Sequence, residues 1–439
     1  MNIIKRFILL TIVAFVALSA TAQSNGCNSS YSRFGLGLQN DQSQGFNRGM
    51  GGVAQGFRPS TQVNMLNPAS YSAIDSLTFI FDAGMRLQVG RLTGNGSSIN
   101  ALNTKMEYVN AGFRLTKGLG MSIGFVPYST IGYNFTESSH IGKTYTTGES
   151  ITSKTTYYGN GGLHELYIGA GWNPFAKLSI GANIGYLWGD YDHSLAQNFY
   201  EGSTTSSVYS AQNEVWKSDM RTYKLDIGAQ YLIPISKKET LTLGATMSVG
   251  HTIGSSVELI RYTSQGDTIS NTTKDAFQMP YTVSAGASWQ HGEGLTIGAD
   301  YALERWKGCR VPISHATATS NEIIVSTDQY SNKHHVALGA EYIQHPQPGG
   351  KYGQHIHYRL GVSYTTPYIK VNGHDGPREY SLNAGVALPI TTSARSLINV
   401  SLQWLRRSPT VSHQITENYF MVHLGVTFNE QWFMKWRFQ

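Results

Sequence analysis

The sequence predicts an all-β protein, a transmembrane antiparallel β-barrel of about fourteen strands with an N-terminal hatch that plugs its lumen. Three observations support this fold class. Apolar and polar residues alternate in one segment after another, no helical period with caps is sustained, and the connections between segments are short and long in turn. An outer-membrane barrel has short turns at its periplasmic end and longer loops outside, whereas a soluble sandwich has no reason for two classes of connection.

The first 22 residues have the pattern of a secretory signal peptide. Lys5 and Arg6 precede an apolar run over residues 7–18, and the small residues Ala20-Thr21-Ala22 form a cleavage signature. The run is too short to span a membrane, and no later segment offers the roughly 18 consecutive apolar residues that a spanning helix needs. We therefore expect an exported chain that enters a membrane as strands.

The stretch YKLDIGAQYLIP, residues 223–234, shows the alternation clearly. Tyr223, Leu225 and Ile227 lie on one face, and Lys224 and Asp226 lie on the other. In a membrane barrel the apolar face meets lipid and the polar face lines the lumen, which is the arrangement we expect. Fourteen strands are predicted near residues 76–87, 108–115, 119–125, 164–172, 178–188, 221–231, 240–250, 280–290, 295–305, 333–342, 355–365, 379–390, 397–406 and 418–428.

The connections divide into two classes. Short links lie at 116–118, 173–177, 233–239, 291–294 and 391–396, and long Ser/Thr/Asn/Gly-rich loops are expected near 130–161, 189–219, 254–278 and 306–332. The barrel is thereby assigned to residues 76–428. Residues 429–439 end in WFMKWRFQ, and because bacterial single-chain barrels have even strand numbers we expect an aromatic periplasmic tail or a partial strand there.

Composition excludes several classes of function. The net charge is +6 with only 14% charged residues, too sparse and scattered for a nucleic-acid surface. The two cysteines, Cys27 and Cys309, are too few for a disulfide framework, and neither lies in a sequence context typical of a catalytic cysteine. The residues before Cys27 also lack the leading aliphatic residue that precedes a lipid-modified N-terminal cysteine.

No motif indicates chemistry or a bound metal. His334 and His335 precede His355 and His357 on the next predicted strand, but a hairpin centred near Gly350 would keep the two pairs apart. No cysteine or carboxylate completes a ligand set, and no nucleophile or phosphate-binding motif lies in a suitable context. We expect no enzyme activity, no cofactor and no metal.

The leader, residues 23–75, carries a family resemblance. It contains YSRFGLGLQ, RGMGGVAQGF and NMLNPASYSAIDS, with Asn67-Pro68-Ala69 just before the first strand. With the fourteen strands and the hairpin YIGAGWNPFAKLSIGANIGYLWG, it resembles the FadL-like family of outer-membrane channels for long-chain fatty acids and other hydrophobic molecules. The resemblance implies that the leader, including Arg48 and Arg58, is a hatch inside the barrel. A fourteen-stranded barrel also encloses space that something must occupy or that stays open.

Glycine recurs on the predicted lumen face of thirteen strands. Such glycines let another backbone or a ligand approach the wall closely, or they relieve coiling in a curved sheet, and both explanations stay open. The positions are Gly84, Gly112, Gly124, Gly169, Gly181, Gly228, Gly244, Gly286, Gly298, Gly339, Gly361, Gly385 and Gly425.

Few charges are expected in the lumen. They are Asp82, Arg86, Glu165, Lys224, Asp226, Asp300, Glu304, Glu341 and Arg359. Because an enclosed charge is costly unless it is paired, we expect Arg33, Arg48 and Arg58 of the leader to meet some of these acids.

A fatty-acid cargo would need a cation for its carboxylate and an apolar pocket for its tail. Arg86, Lys224 and Arg359 are therefore the candidate substrate-binding residues, with structural pairing as the alternative for each. The resemblance also implies an interruption of the third strand that opens the wall toward lipid. Pro127 with Tyr128 is the nearest match to that interruption. The alternative is that the proline only ends the strand before a long loop.

Two functions remain open. The first is a hatch-plugged channel that takes up hydrophobic or amphipathic small molecules passively across the outer membrane of a Gram-negative cell. The second is a non-transporting barrel of the same fold that serves as a subunit of an outer-membrane protein assembly or secretion complex. Expected partners are outer-membrane lipid, a hydrophobic ligand and, for the second function, other outer-membrane proteins. A transporter should show an apolar cavity beneath the hatch, and a subunit should show a packed lumen.

Overall fold

The computed structural model describes residues 27–431 apart from 95, 144–147, 203, 206–209, 264–265, 267, 317–320, 345–350, 391–394 and 412–413. The predicted signal peptide and the aromatic tail from Trp432 onward lie outside the described residues. No helix of the described part is long and apolar enough to cross a membrane.

Fourteen antiparallel strands close into a barrel, as the sequence predicts. Each strand pairs with the next, and the last pairs with the first from Thr78↔Gln431 to Thr93↔Thr416. The strands are β1 (Thr78–Gly94), β2 (Ser97–Thr116), β3 (Leu119–Pro127), β4 (Ser150–Phe175), β5 (Leu178–Glu201), β6 (Gln212–Pro234), β7 (Glu239–Ser248), β8 (Tyr281–His291), β9 (Leu295–Arg305), β10 (Lys333–Ile343), β11 (His357–Thr365), β12 (Arg378–Pro389), β13 (Leu397–Ser408) and β14 (Thr416–Gln431).

Burial in β6 identifies the face that meets lipid. Tyr223, Ile227 and Tyr231 are each about half exposed, whereas Gln230 is 1% exposed. A soluble sandwich would show the reverse, with the apolar set inside. The apolar residues therefore face outward and the polar residues face the lumen, as expected for a membrane barrel.

The long outer connections differ from the prediction of loops. Ser129–Lys143 is a strand that pairs with the outer half of β4, and β5 and β6 continue as a ribbon to Glu201 and from Gln212. Further hairpins form from Ser256–Thr263 with Thr268–Lys274 and from Val311–Ala316 with Asn321–Ser326. Thr and Tyr, which recur in these segments, favour strands, so the ladders continue beyond the apolar band.

The leader contains only short elements. A 3₁₀ turn at Ser30–Arg33, a strand at Leu38–Gln39, a helical turn at Gly45–Arg48 and a 3₁₀ turn at Pro68–Ala73 precede β1. Asn67 caps the last turn by accepting a hydrogen bond from the Ala69 amide at 3.2 Å. These turns place the leader backbone against the lumen side of the wall.

Candidate functional site

The leader backbone lies directly on lumen glycines. A β-carbon at Gly361 would overlap the Met50 carbonyl, and one at Gly244 would overlap the Gln55 carbonyl. At seven glycines of the predicted set, the atom nearest to such a β-carbon belongs to the leader. They are Gly112, Gly181, Gly228, Gly244, Gly298, Gly339 and Gly361. Gly84, Gly124, Gly169 and Gly286 instead make room for side chains of the barrel itself. The inward glycines thus serve both leader packing and the packing of the wall.

Polar wall residues anchor the leader backbone near its middle. One carboxylate oxygen of Asp300 on β9 accepts hydrogen bonds from the amides of Ala54 at 2.6 Å and Gln55 at 2.9 Å. The Gln230 amide on β6 donates to the carbonyls of Gln55 and Phe57, both at 2.9 Å. Hydrogen bonds to a charged group stabilise more than neutral ones, so Asp300 is the stronger anchor.

A second set of anchors fixes the N-terminal end of the leader to β14. The Ser29 hydroxyl donates to the Glu417 carboxylate at 2.7 Å, and the Tyr31 hydroxyl donates to the Ile415 carbonyl at 2.5 Å. Burial, and secondly the nearby Glu417 carboxylate, raises the pKa of Tyr31 well above its ordinary value. The Tyr31 hydroxyl therefore stays protonated and remains a donor.

Arg48 is the leader arginine that meets acids, although neither acid belongs to the set predicted for the lumen. Its guanidinium is 2% exposed and pairs with Asp41 of the leader and with Glu107 of β2, the latter at 3.1 Å. His423 of β14 contacts the same Glu107 carboxylate at 2.9 Å. Arg48 therefore ties the leader to two strands through a buried carboxylate.

The other two leader arginines find different partners, so that part of the expectation is wrong for the described residues. Arg33 lies over the ring of Tyr157, 4.0 Å from its centroid, and Arg58 donates to the Ser72 hydroxyl at 2.9 Å. The first is a cation–π contact, which needs no acid.

Removing the Arg48 charge should destabilise the folded protein measurably. The Arg48→Met variant leaves the buried Glu107 carboxylate without its guanidinium, and breaking a buried pair costs about 3–5 kcal/mol. We expect a clear drop in the thermal unfolding midpoint in detergent micelles. Arg58→Met, which removes one hydrogen bond at a partly exposed site, is the matched control and should change the midpoint little. Equal midpoints for the two variants would contradict this role of Arg48.

Two of the three candidate substrate cations already have partners. Lys224 lies 2.9 Å from Asp226 and 3.4 Å from Glu165. Arg359 pairs with Glu341 at 2.6 Å and donates to Asn399 at 2.7 Å. For both residues the geometry matches the alternative of structural pairing. Arg86 makes no hydrogen bond or ion pair with any residue of the described part.

The barrel wall has a gap between β2 and β3. Their ladder runs from the short turn at 117–118 only as far as Val109↔Phe125. Beyond Pro127 the chain breaks its strand at Tyr128, and Ser129–Lys143 then pairs with β4 but not with β2. The outer half of β2 therefore pairs with β1 alone. Pro127 and Tyr128 stand where the third strand leaves its neighbour.

Leader residues bridge this gap. Leu38 pairs with Thr130 across a two-residue antiparallel ladder. On the β2 side Lys105 donates to Asn40 of the leader at 2.9 Å and also to Thr130, so its side chain crosses from β2 to the third strand. Asn28 donates to Asn103 of β2 at 3.1 Å. Sequence reasoning missed Lys105 because its predicted strand began only at residue 108.

A cavity of about 340 Å³ lies beside the leader in the outer half of the barrel. Arg86 lines it, and on the β1–β2 ladder Arg86 stands opposite Lys105, the residue that crosses the wall gap. The lining mixes charged with apolar side chains, among them Lys224, Glu304, Lys333, Arg407, Leu38, Met65, Tyr368, Ile369, Leu405 and Met421. The volume is within the range of small-molecule pockets.

The histidines do not form a metal site in the described residues. His334 contacts the Tyr301 hydroxyl at 2.8 Å, His335 contacts Thr365 at 2.8 Å, and His357 contacts Glu341 at 3.2 Å. Within the described ranges no group of three or more potential ligands converges.

Solved structures share this fold at low identity. A Pseudomonas aeruginosa FadL homologue is 12% identical with a TM-score of 0.59, covering 88% of this chain and 98% of that one. The Ralstonia pickettii toluene transporter TbuX is 15% identical with a TM-score of 0.56, at 88% and 98% coverage. The Pseudomonas putida toluene transporter TodX is 14% identical with a TM-score of 0.55, at 89% and 99% coverage.

Among curated proteins, none matches this chain. The family model BamG matches residues 3–439, nearly the whole sequence. The FadL-like resemblance is thereby confirmed at the level of the fold, and the chain belongs to the BamG family.

Proposed function

We propose that this protein is a hatch-plugged outer-membrane channel through which amphipathic small molecules pass between the lumen and the membrane. The wall gap between β2 and β3 carries the proposal. A barrel normally closes every strand edge, because unpaired backbone groups facing lipid are costly. An interrupted ladder next to an internal cavity is therefore better explained as a passage than as a defect. The FadL homologue and the toluene transporters share the fold.

The mixed lining favours a cargo with a polar head and an apolar tail. A pure hydrocarbon would gain little from Arg86, Lys224 and Glu304 in the cavity wall. An anionic head group would pair with Arg86, which makes no hydrogen bond or ion pair among the described residues, and its tail would lie toward the gap and the lipid. Long-chain fatty acids fit this description and remain our first candidate cargo.

In this proposal the leader, residues 23–75, is the hatch and its N-terminal part is the gate. Opening the gap requires separation of the Leu38↔Thr130 ladder and release of Lys105 from Asn40. The contacts of Asn67, Pro68 and Ala69 with the lower wall, such as the Asn67 donation to the Ala229 carbonyl of β6 at 3.4 Å, can stay intact meanwhile. Residues 1–22 would be removed on export, and no catalytic step is required.

Arg86→Gln tests the role of the free cation. A hydrogen bond to a charged group contributes about 1.5–3 kcal/mol, so we expect affinity for a fluorescent long-chain fatty acid to fall about tenfold or more. Binding of the corresponding uncharged alcohol should change little. Arg91→Gln, at an exposed outer position of the same strand, is the control. Equal loss for acid and alcohol would contradict head-group recognition by Arg86.

One observation favours the second function. Below the cavity the lumen is filled by leader residues that lie against lumen glycines from Gly112 to Gly361. The ribbons of β4, β5 and β6 also extend beyond the apolar band and offer surface to a partner. A filled lumen and an exposed surface for a partner are sufficient for a non-transporting subunit of an outer-membrane assembly.

A further inference from the structure

The periplasmic turns carry a run of lysines along one arc of the rim. The turns after β2, β4 and β6 contain Lys117, Lys177, and Lys237 with Lys238, all exposed. The residues between the strand ends, 117–118, 176–177 and 235–238, include no Asp or Glu. The next acidic group along the rim, Glu239, is the first residue of β7 and contacts His291 at the end of β8 at 3.4 Å. The arc therefore presents four exposed lysines on consecutive turns, with Glu239 as the acidic residue next to Lys238 in the chain.

Large apolar side chains flank these lysines on the outward face. Leu115, Trp172, Phe175 and Ile235 are each more than half exposed, Phe175 at 69%. Side chains of this kind at the end of a barrel mark the boundary between hydrocarbon and head groups, and lysine stems reach from there to the head-group layer. The lysines thus stand at the height of the lipid head groups.

We propose that this basic arc, Lys117, Lys177, Lys237 and Lys238, binds the head groups of anionic phospholipids in the periplasmic leaflet. Basic side chains beside a membrane surface attract anionic lipid, and several acting together give selectivity over zwitterionic lipid. The position beside lipid-facing Trp172 and Phe175 favours lipid over an acidic protein. The proposal is independent of cargo passage, because none of these residues lines the cavity or the wall gap.

The test is lipid retention in nanodiscs of phosphatidylcholine with one quarter phosphatidylglycerol. Native mass spectrometry of the full chain should show bound phosphatidylglycerol enriched over phosphatidylcholine. A variant with Lys117, Lys177, Lys237 and Lys238 all changed to Gln should lose that enrichment by about tenfold or more. The control changes four exposed lysines at the outer end, Lys143, Lys154, Lys217 and Lys307, to Gln and should retain it.

Two results would overturn the proposal. Equal phosphatidylglycerol retention by the two quadruple variants would show that the arc does not select lipid. Retention that is unchanged in the arc variant, together with lost binding of an acidic polypeptide such as polyglutamate, would assign the arc to an acidic protein instead. Heat-modifiable migration on gels checks that both variants form closed barrels. This migration reports on barrel closure and does not depend on lipid retention.

Discussion

Replacing Gly361 by valine is expected to displace the leader from the wall and to open the barrel. The added side chain overlaps the Met50 carbonyl, which is backbone and cannot rotate away. Overpacking a close contact costs about 1–3 kcal/mol, and the leader can relieve it only by moving as a segment. We expect a closed wild-type protein and a conducting variant in planar bilayers. Trypsin should also cut the variant after Arg48, which is buried in the folded protein.

The control is Gly142→Val, because a β-carbon at Gly142 meets no atom within 4 Å. That variant should stay closed and resist cleavage at Arg48. If Gly361→Val also stays closed and uncut, the leader does not depend on backbone contact with the lumen glycines. The account of leader packing would then be wrong.

A disulfide between the leader and the third strand is expected to abolish passage of cargo. Leu38 and Thr130 are directly opposed in an antiparallel ladder, where β-carbons lie about 4.5–5.5 Å apart, close to the separation that a disulfide needs. We expect Leu38→Cys with Thr130→Cys, in a background of Cys27→Ser and Cys309→Ser, to block fatty-acid uptake into proteoliposomes when oxidised. Reduction should restore uptake.

A second disulfide serves as the matched control. Thr136 and Thr156 are opposed on the ribbon outside the gap, and their hydroxyls are 3.1 Å apart. Cross-linking these positions in the same background should leave uptake unchanged in both redox states. Uptake that continues through the oxidised Leu38–Thr130 protein would place the passage elsewhere and exclude the N-terminal part of the leader as its gate.

The number of strands, their order and the face of each that meets lipid could be predicted from the sequence, because the membrane imposes a simple rule. Each strand exposes apolar residues on one face, so the pattern of Tyr223, Leu225 and Ile227 has only one arrangement in lipid. The outer ends of the strands were harder to predict from the sequence. Outside the apolar band Thr, Ser and Asn occur on both faces of β4 and β5, so the alternation weakens although the ladder continues.

The site was only partly predictable. Arg86, Lys224 and Arg359 could be placed on the lumen face, but which of them is paired depends on contacts between different strands, such as Lys224 with Glu165 of β4. The third-strand interruption could be located at Pro127 and Tyr128 through the family resemblance. The bridging role of Lys105 could not, because it depends on the fold of the leader and on an outer part of β2 that no apolar pattern marks.

Purification from native membranes in mild detergent tests the central claim most directly, by identifying everything that accompanies the protein. The account predicts a single barrel that carries about one equivalent of an anionic amphiphile, released on denaturation and reduced in Arg86→Gln. Stoichiometric outer-membrane protein partners without a bound amphiphile would contradict the channel and establish the subunit role instead.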